Sequence, residues 1–183
     1  MGKPRNIKTT FMYTDGSVIN NGKSYASGGI GVFFKDNDSR NVSEKFTHSP
    51  TTTPRTELYA VYKGLENFVL NKGKNFFLQK KYTAEEIHIY SDSSYVVKSM
   101  NSWIKNWKRN GWKNRKGEQV LNVDLLIKLD NIIIAMKPQI MTRFFHINSH
   151  MSPPEDKYGL EYQHWNGNMM ADKFALLGRK KKS

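Results

Sequence analysis

The sequence contains no cysteine, which excludes a disulfide framework and any thiolate metal site and fits a reducing compartment. It also lacks a long hydrophobic run: no stretch approaches the roughly 20 apolar residues a membrane-spanning helix needs. The opening Met1-Gly-Lys-Pro-Arg-Asn-Ile-Lys has no apolar core of the signal-peptide kind. These absences lead to the expectation of an intracellular protein, cytoplasmic or nuclear, not secreted and not membrane-bound. Acidic residues are scarce: 16 Asp and Glu stand against 29 Lys and Arg, a net charge of +13. Such a surplus attracts polyanions, nucleic acid first among them, or serves as a plain solubilising surface, and charge alone leaves the two open. What is present suffices for one hydrophobic core, with 38% hydrophobic and 13% aromatic residues in 183, so the chain is read as a single domain, 1–183.

Hydrophobic periodicity divides the chain. Lys8 to Thr14, Gly29 to Phe34 and Asn41 to Thr47 have strand composition, separated by the Asp15-Gly16 and Asp36–Ser39 turn signals, and predict an antiparallel meander. The period then changes. Thr53-Pro54 reads as an N-cap followed by proline in the first turn, and Leu58, Val61, Leu65, Phe68 and Val69 continue at helical spacing to about Leu70. Residues 71–85, with Lys72, Lys74, Lys80 and Lys81, form a basic connection. A buried-type strand, Glu86–Tyr90, ends at Ser91-Asp92. Short helical pieces follow around Tyr95–Met100 and Ser102–Arg109, then a helix Asn122–Met136 stopped by Pro138, a strand Ile140–Ile147 and a helix Asn168–Leu177. Three adjacent strands followed by helix–strand alternation predict an α/β fold, a mixed five-stranded sheet (three antiparallel strands, then two parallel) flanked by helices. No internal repeat and no linker interrupts it.

Four acids stand at element ends. Asp15 closes the first strand, Glu57 lies in the first turns of the long helix, Asp92 closes the fourth strand, and Asp172 lies early in the last helix. Singly each has an ordinary reading as a turn residue, a helix-dipole partner or a cap. Together they imply more, because Asp15 and Asp92 follow apolar strands whose ends point to one edge of an α/β sheet, where ligand sites collect. Acids gathered there repel one another unless cations neutralise them, and hard divalent ions share such oxygens with phosphate.

The stretches Tyr13-Thr-Asp-Gly-Ser17, Thr53-Pro-Arg-Thr-Glu-Leu58, Ile89-Tyr-Ser-Asp-Ser93 and Gly167-Asn-Met-Met-Ala-Asp172 resemble the four acid-bearing motifs of the cellular type-I ribonuclease H family. Trp103-Ile-Lys-Asn-Trp-Lys-Arg-Asn-Gly-Trp-Lys113 resembles its basic handle, and Leu121-Asn-Val-Asp-Leu125 continues the match. The resemblance runs in the family's order over about 8–178, leaving a basic tail at 179–183.

The resemblance implies a ribonuclease H-like fold and endonucleolytic hydrolysis of the RNA strand of RNA–DNA hybrids, giving 5′-phosphate and 3′-hydroxyl ends. It implies that Asp15, Glu57, Asp92 and Asp172 hold two Mg²⁺, with Mn²⁺ as substitute, that Asp15 bridges them and that Glu57 senses the ribose 2′-hydroxyl. His150 corresponds to the family's mobile-loop histidine. Its rivals are His146, four residues earlier and read as structural, and His164, and the segment Met151–His164 makes this loop longer than the family's. Trp103 and Trp107 lie one helical turn apart; two core aromatics are the ordinary reading, whereas interleaving with Lys105, Lys108, Arg109 and Lys113 favours a partly exposed face touching a sugar–phosphate backbone, which the resemblance implies is that of the DNA strand. Thr52 and Asn122 correspond to a DNA phosphate pocket, with Pro50 where the family has arginine and Thr53 where it has asparagine. Asn21 corresponds to a residue reading the hybrid minor groove. With the first strand beginning near Lys8, affinity is expected from the domain itself: the handle, the 71–85 connection and Arg179–Lys182. That tail also reads as a nuclear-import patch or a solvated end. The expected partner is an RNA–DNA hybrid and the expected state a monomer. The competing readings are a catalytically silent hybrid-binding module and another two-metal nuclease on this fold, such as a junction resolvase.

Overall fold

The computed structural model of the chain describes residues 7–73, 76, 85–149 and 151–182. Five strands, β1 (Lys8–Ile19), β2 (Ser27–Phe33), β3 (Val42–Phe46), β4 (Glu85–Ser91) and β5 (Ile140–His146), form one sheet in the order β3-β2-β1-β4-β5. The β1–β2 and β2–β3 pairs are antiparallel, and β1–β4 and β4–β5 are parallel. This is the mixed α/β sheet that the strand pattern predicts. No described helix is long and apolar enough to cross a membrane.

One face of the sheet carries Met12, Ile30, Val32, Ile87 and Ile89, all fully buried beneath α1 (Thr53–Asn71) and α4 (Val123–Met136). The helical stripe Leu58, Val61, Leu65 and Phe68 of α1 and Leu126 and Leu129 of α4 close this core. The other face carries Tyr13 and Phe33 and is covered by a single helix, α5 (Leu160–Lys180).

α5 reaches the sheet through small residues. Gly167, Ala171, Ala175 and Gly178 recur at helical spacing and are all buried. Opposite them β2 presents Gly29 and Gly31. A Cβ at Gly31 would stand 1.9 Å from the Ala171 carbonyl oxygen, and one at Gly29 2.2 Å from the Arg179 backbone nitrogen. Helix backbone thus lies directly on strand backbone, because the β2 glycines carry no side chain to hold α5 away.

Several boundaries differ from the sequence reading. β1 does not stop at Asp15-Gly16: it continues to Ile19, because β2 pairs with it past the end of β4, through Asp15↔Gly31 to Ile19↔Ser27. Thr52 rather than Thr53 caps α1, its carbonyl accepting from the Arg55 and Thr56 N–H groups at 3.0 Å. The two helical pieces after β4 are one continuous stretch, α2 (Ser94–Lys98) and α3 (Ile104–Arg109) joined by a π-helical turn at Ser99–Trp103. The last helix starts at Leu160, not Asn168, so the long 151–164 loop is shorter than expected and His164 is helical. Its two added turns rest on aromatic side chains of the sheet, which no local periodicity announces. Lys74, Lys80, Lys81 and His150 lie outside the described residues.

Candidate metal site and nucleic-acid interface

The parallel β1–β4 ladder ends at Thr14↔Ser91, so Asp15 and Asp92 emerge side by side one residue beyond it. Strand alternation places both above Tyr13 and Tyr90, whose rings stack with centroids 5.3 Å apart. Glu57 arrives from α1 because the next β1 residue is glycine. A Cβ at Gly16 would lie 2.4 Å from Thr56 Oγ1 and 2.7 Å from the Glu57 nitrogen. Gly16 is therefore a point of close approach between strand and helix rather than the turn expected from Asp-Gly. Asp172 is carried in by α5, one residue beyond Ala171, whose carbonyl abuts Gly31, the register partner of Asp15.

Asp15, Glu57 and Asp92 each present an oxygen within 4.8 Å of the others. Asp172 does not close to that distance; it borders the same cavity as Asp15 and Asp92 and adds its charge there. Burial, then the charges of Asp92 and Asp172, push the Asp15 carboxyl up to about 7, against a Gly16 backbone hydrogen bond that lowers it. Burial, then Asp15 and Asp92, push Glu57 well above the ordinary carboxyl range, and its Oε2 is buried without a hydrogen-bond partner among the described residues. An orphaned buried carboxylate oxygen among mutually repelling acids fits the requirement of a hard divalent cation, which takes oxygen ligands and cancels the repulsion.

Asn168 also belongs to this cavity and was missed from sequence. It is buried, its Oδ1 has no hydrogen-bond partner among the described residues, and it lies one helical turn before Asp172. That i, i+4 spacing was the available signal. His146 sits beside the site: its Nε2 lies 3.1 Å from the Asp92 carbonyl oxygen. His164 lies beneath it, Nδ1 2.9 Å from the Tyr13 hydroxyl and its ring 4.2 Å from that of Tyr90, with burial holding its pKa below the usual range. Ser149 and Met151, which flank His150, both line the cavity.

The handle holds its aromatic and basic side chains in unlike settings. The Trp103 and Trp107 rings lie 5.6 Å apart on one face, Trp103 exposed and Trp107 half-buried against the core. Lys105 and Lys113 are exposed. Lys108 instead pairs with Asp130 of α4 at 2.6 Å, so its charge is taken up within the protein. Arg55 donates two bonds to Asp124, at 2.8 and 2.7 Å, and so draws the N-termini of α1 and α4 together. Thr52 and Asn122 are the N-cap residues of these two helices; Asn122 adopts a left-handed conformation and donates to the Tyr95 hydroxyl at 3.2 Å. Asn21 is exposed, its side-chain oxygen accepting from the Thr53 N–H at 3.1 Å.

Comparison with known proteins bears on all of this. Ribonuclease H of Schizosaccharomyces pombe is 34% identical over 122 residues, 67% of this chain, and the chain spans 40% of that relative's length. Ribonuclease H of Legionella pneumophila strain Corby is 39% identical over 124 residues, covering 66% of this chain and 73% of the relative. Among solved structures, a foamy viral protease–reverse transcriptase in complex with an RNA/DNA hybrid superposes with a TM-score of 0.67 at 19% identity, over 98% of this chain and 21% of that one, a likeness of fold alone. The sequence pattern of the RNase H family matches residues 7–180, nearly the whole chain: the protein belongs to the RNase H family.

Proposed function

We propose that this protein hydrolyses the RNA strand of RNA–DNA hybrids endonucleolytically, leaving 5′-phosphate and 3′-hydroxyl ends. The observation that carries the reading is the meeting of Asp15, Glu57 and Asp92 within 4.8 Å, with Asp172 on the same cavity. Family membership supports it, as does a foamy viral neighbour of like fold in complex with an RNA/DNA hybrid.

The four acids would hold two Mg²⁺ ions, with Mn²⁺ as substitute. When bound, these supply an activated water nucleophile and neutralise charge on the departing ribose 3′-oxygen. The chain's own contribution is placement. Asp15, which feels the charges of Asp92 and Asp172 and raises Glu57, is suited to serve both ions, and the Glu57 oxygen without a partner among the described residues is suited to the ribose 2′-hydroxyl that distinguishes RNA from DNA. His150 moves a proton or helps product leave. Trp103 and Trp107, with Lys105 and Lys113, would lie along the DNA strand; Thr52 and Asn122, at two adjoining helix N-termini, would take a DNA phosphate, and Asn21 the minor groove. Such contacts read shape and sugar rather than base edges, so cutting is independent of sequence. The catalytic unit is one domain, core about 8–178, acting as a monomer.

The deciding assay offers labelled RNA–DNA hybrid, double-stranded RNA and double-stranded DNA, with and without Mg²⁺. Only the RNA of the hybrid should be cut, and only with the ion. Binding of the hybrid without cleavage would identify a silent binder, and cutting of DNA junctions a resolvase.

The handle has its own test. Replacing Lys105 and Lys113 together with Gln should weaken hybrid binding and lower the slope of log K against log salt by about 2. Lys108→Gln, already paired with Asp130, should leave the slope unchanged. Equal effects from all three would mean that the ion pair opens to phosphate.

A further inference from the structure

Among the described residues three arginines are buried or half-buried: Arg40, Arg55 and Arg179. Arg40 pairs with Asp38 and Arg55 with Asp124. Arg179 has no carboxylate partner among the described residues; its Nη1 donates to the Ser17 hydroxyl at 3.0 Å. Half-burying a guanidinium removes hydration that one neutral hydroxyl only partly replaces. Its charge, and the N–H donors beyond that one bond, are left for an anion.

Its place is specific. Ser17 lines the same cavity as Asp15, Asp92 and Asp172, and lies two residues along β1 from Asp15, roughly 7 Å. Arg179 follows Asp172 by seven residues, nearly two whole turns, so the two share a side of α5 roughly 10 Å apart. Its backbone is held on β2 at Gly29, so the side chain springs from a fixed base rather than a free tail. The exposed Lys180, Lys181 and Lys182 continue the positive charge outward from this point.

We infer that Arg179 binds a backbone phosphate of the RNA strand, next to the one that enters the acid cluster, on the side away from the handle. The inference rests on the hybrid-cutting reading above. The strand follows from distance: the anion nearest a phosphate held by the acids is its neighbour on the same strand, whereas the other strand lies across a groove. The tail is then the second basic arm of the interface. The handle follows β4 on one side of the acids, and Arg179 lies over β1 and β2 on the other.

The test compares the full chain with Arg179→Gln, by anisotropy of a labelled hybrid in a salt series without divalent ions. The variant should bind about 10-fold more weakly at low salt, with a salt slope lower by about 1. Arg179→Lys should keep the slope. Hybrids carrying one neutral methylphosphonate at successive RNA positions then locate the contact. The full chain should lose affinity at one position within about two nucleotides of the cut, and Arg179→Gln should be indifferent there. A purely structural tie to Ser17 predicts a lower melting temperature with an unchanged slope, reproduced by Ser17→Ala, and that result would overturn the inference. So would equal sensitivity of both proteins at every phosphate. If the full chain itself neither binds nor cuts the hybrid, the underlying reading fails first, and that outcome is distinct.

Discussion

Asp15→Asn should reduce Mg²⁺-dependent cleavage of the hybrid by about a thousand-fold or more, and should make the metal-free protein more stable. The loss follows from removing the acid at the centre of the cluster, where metal-assisted charge stabilisation is worth several kcal/mol. The gain follows from linkage. The Asp15 carboxyl rises from 3.8 to about 7 on folding, chiefly through burial and then through Asp92 and Asp172. An acid raised in the folded state binds its proton more tightly there, so stability falls as pH rises from about 4 to about 7. Above that window its ionised form opposes folding by about 4 kcal/mol, at 1.36 kcal/mol per unit. Asparagine carries no such charge. Its melting temperature should exceed that of the unaltered chain by several degrees at pH 8, with the gap closing towards pH 4. Adding Mg²⁺ should raise the unaltered chain more than the variant. Retained turnover, or a variant less stable at pH 8, would mean that Asp15 is not a strained ligand.

The second large effect is expected at a residue that touches no substrate. Gly31→Ala puts a methyl where the Ala171 carbonyl oxygen stands 1.9 Å away, and both partners are backbone. α5 must move off β2, which should cost about 2–3 kcal/mol, or roughly 5–10 °C in melting temperature for a domain of this size. Asp172 follows Ala171 and Asp15 is the register partner of Gly31, so the same shift separates two of the acids. kcat should therefore fall by more than hybrid affinity, because the handle's share of binding does not depend on α5. A variant with unchanged stability and kcat would show that α5 is not seated as tightly as the contact implies.

Both predictions rest on features that the chain reveals unequally. The element order, the mixed five-stranded sheet and the four acids were legible, because apolar period and charged punctuation are local signals and the RNase H motifs are contiguous. Gly16 was read as a turn residue, since Asp-Gly is a turn signal wherever the partner strand is unknown. Only the long β1–β2 pairing and the approach of Thr56 make it a contact point. Lys108 looked like its basic neighbours until Asp130 took its charge. The first two turns of α5 read as loop, because Glu161 to Trp165 are polar or aromatic and Leu160 alone makes no helical stripe. They are held by Tyr13 and Tyr90 across the sheet.

By itself, then, the order of residues determined which acids are candidates for the chemistry and on which kinds of element they lie, since periodicity and spacing are properties of short segments. The tertiary structure decided how close the acids come, and that, among the described residues, Glu57 has a buried oxygen without a hydrogen-bond partner and Arg179 stands near the acids without a carboxylate. Those outcomes depend on glycines from distant segments that let backbones touch, and a contact between two segments is a property of neither alone.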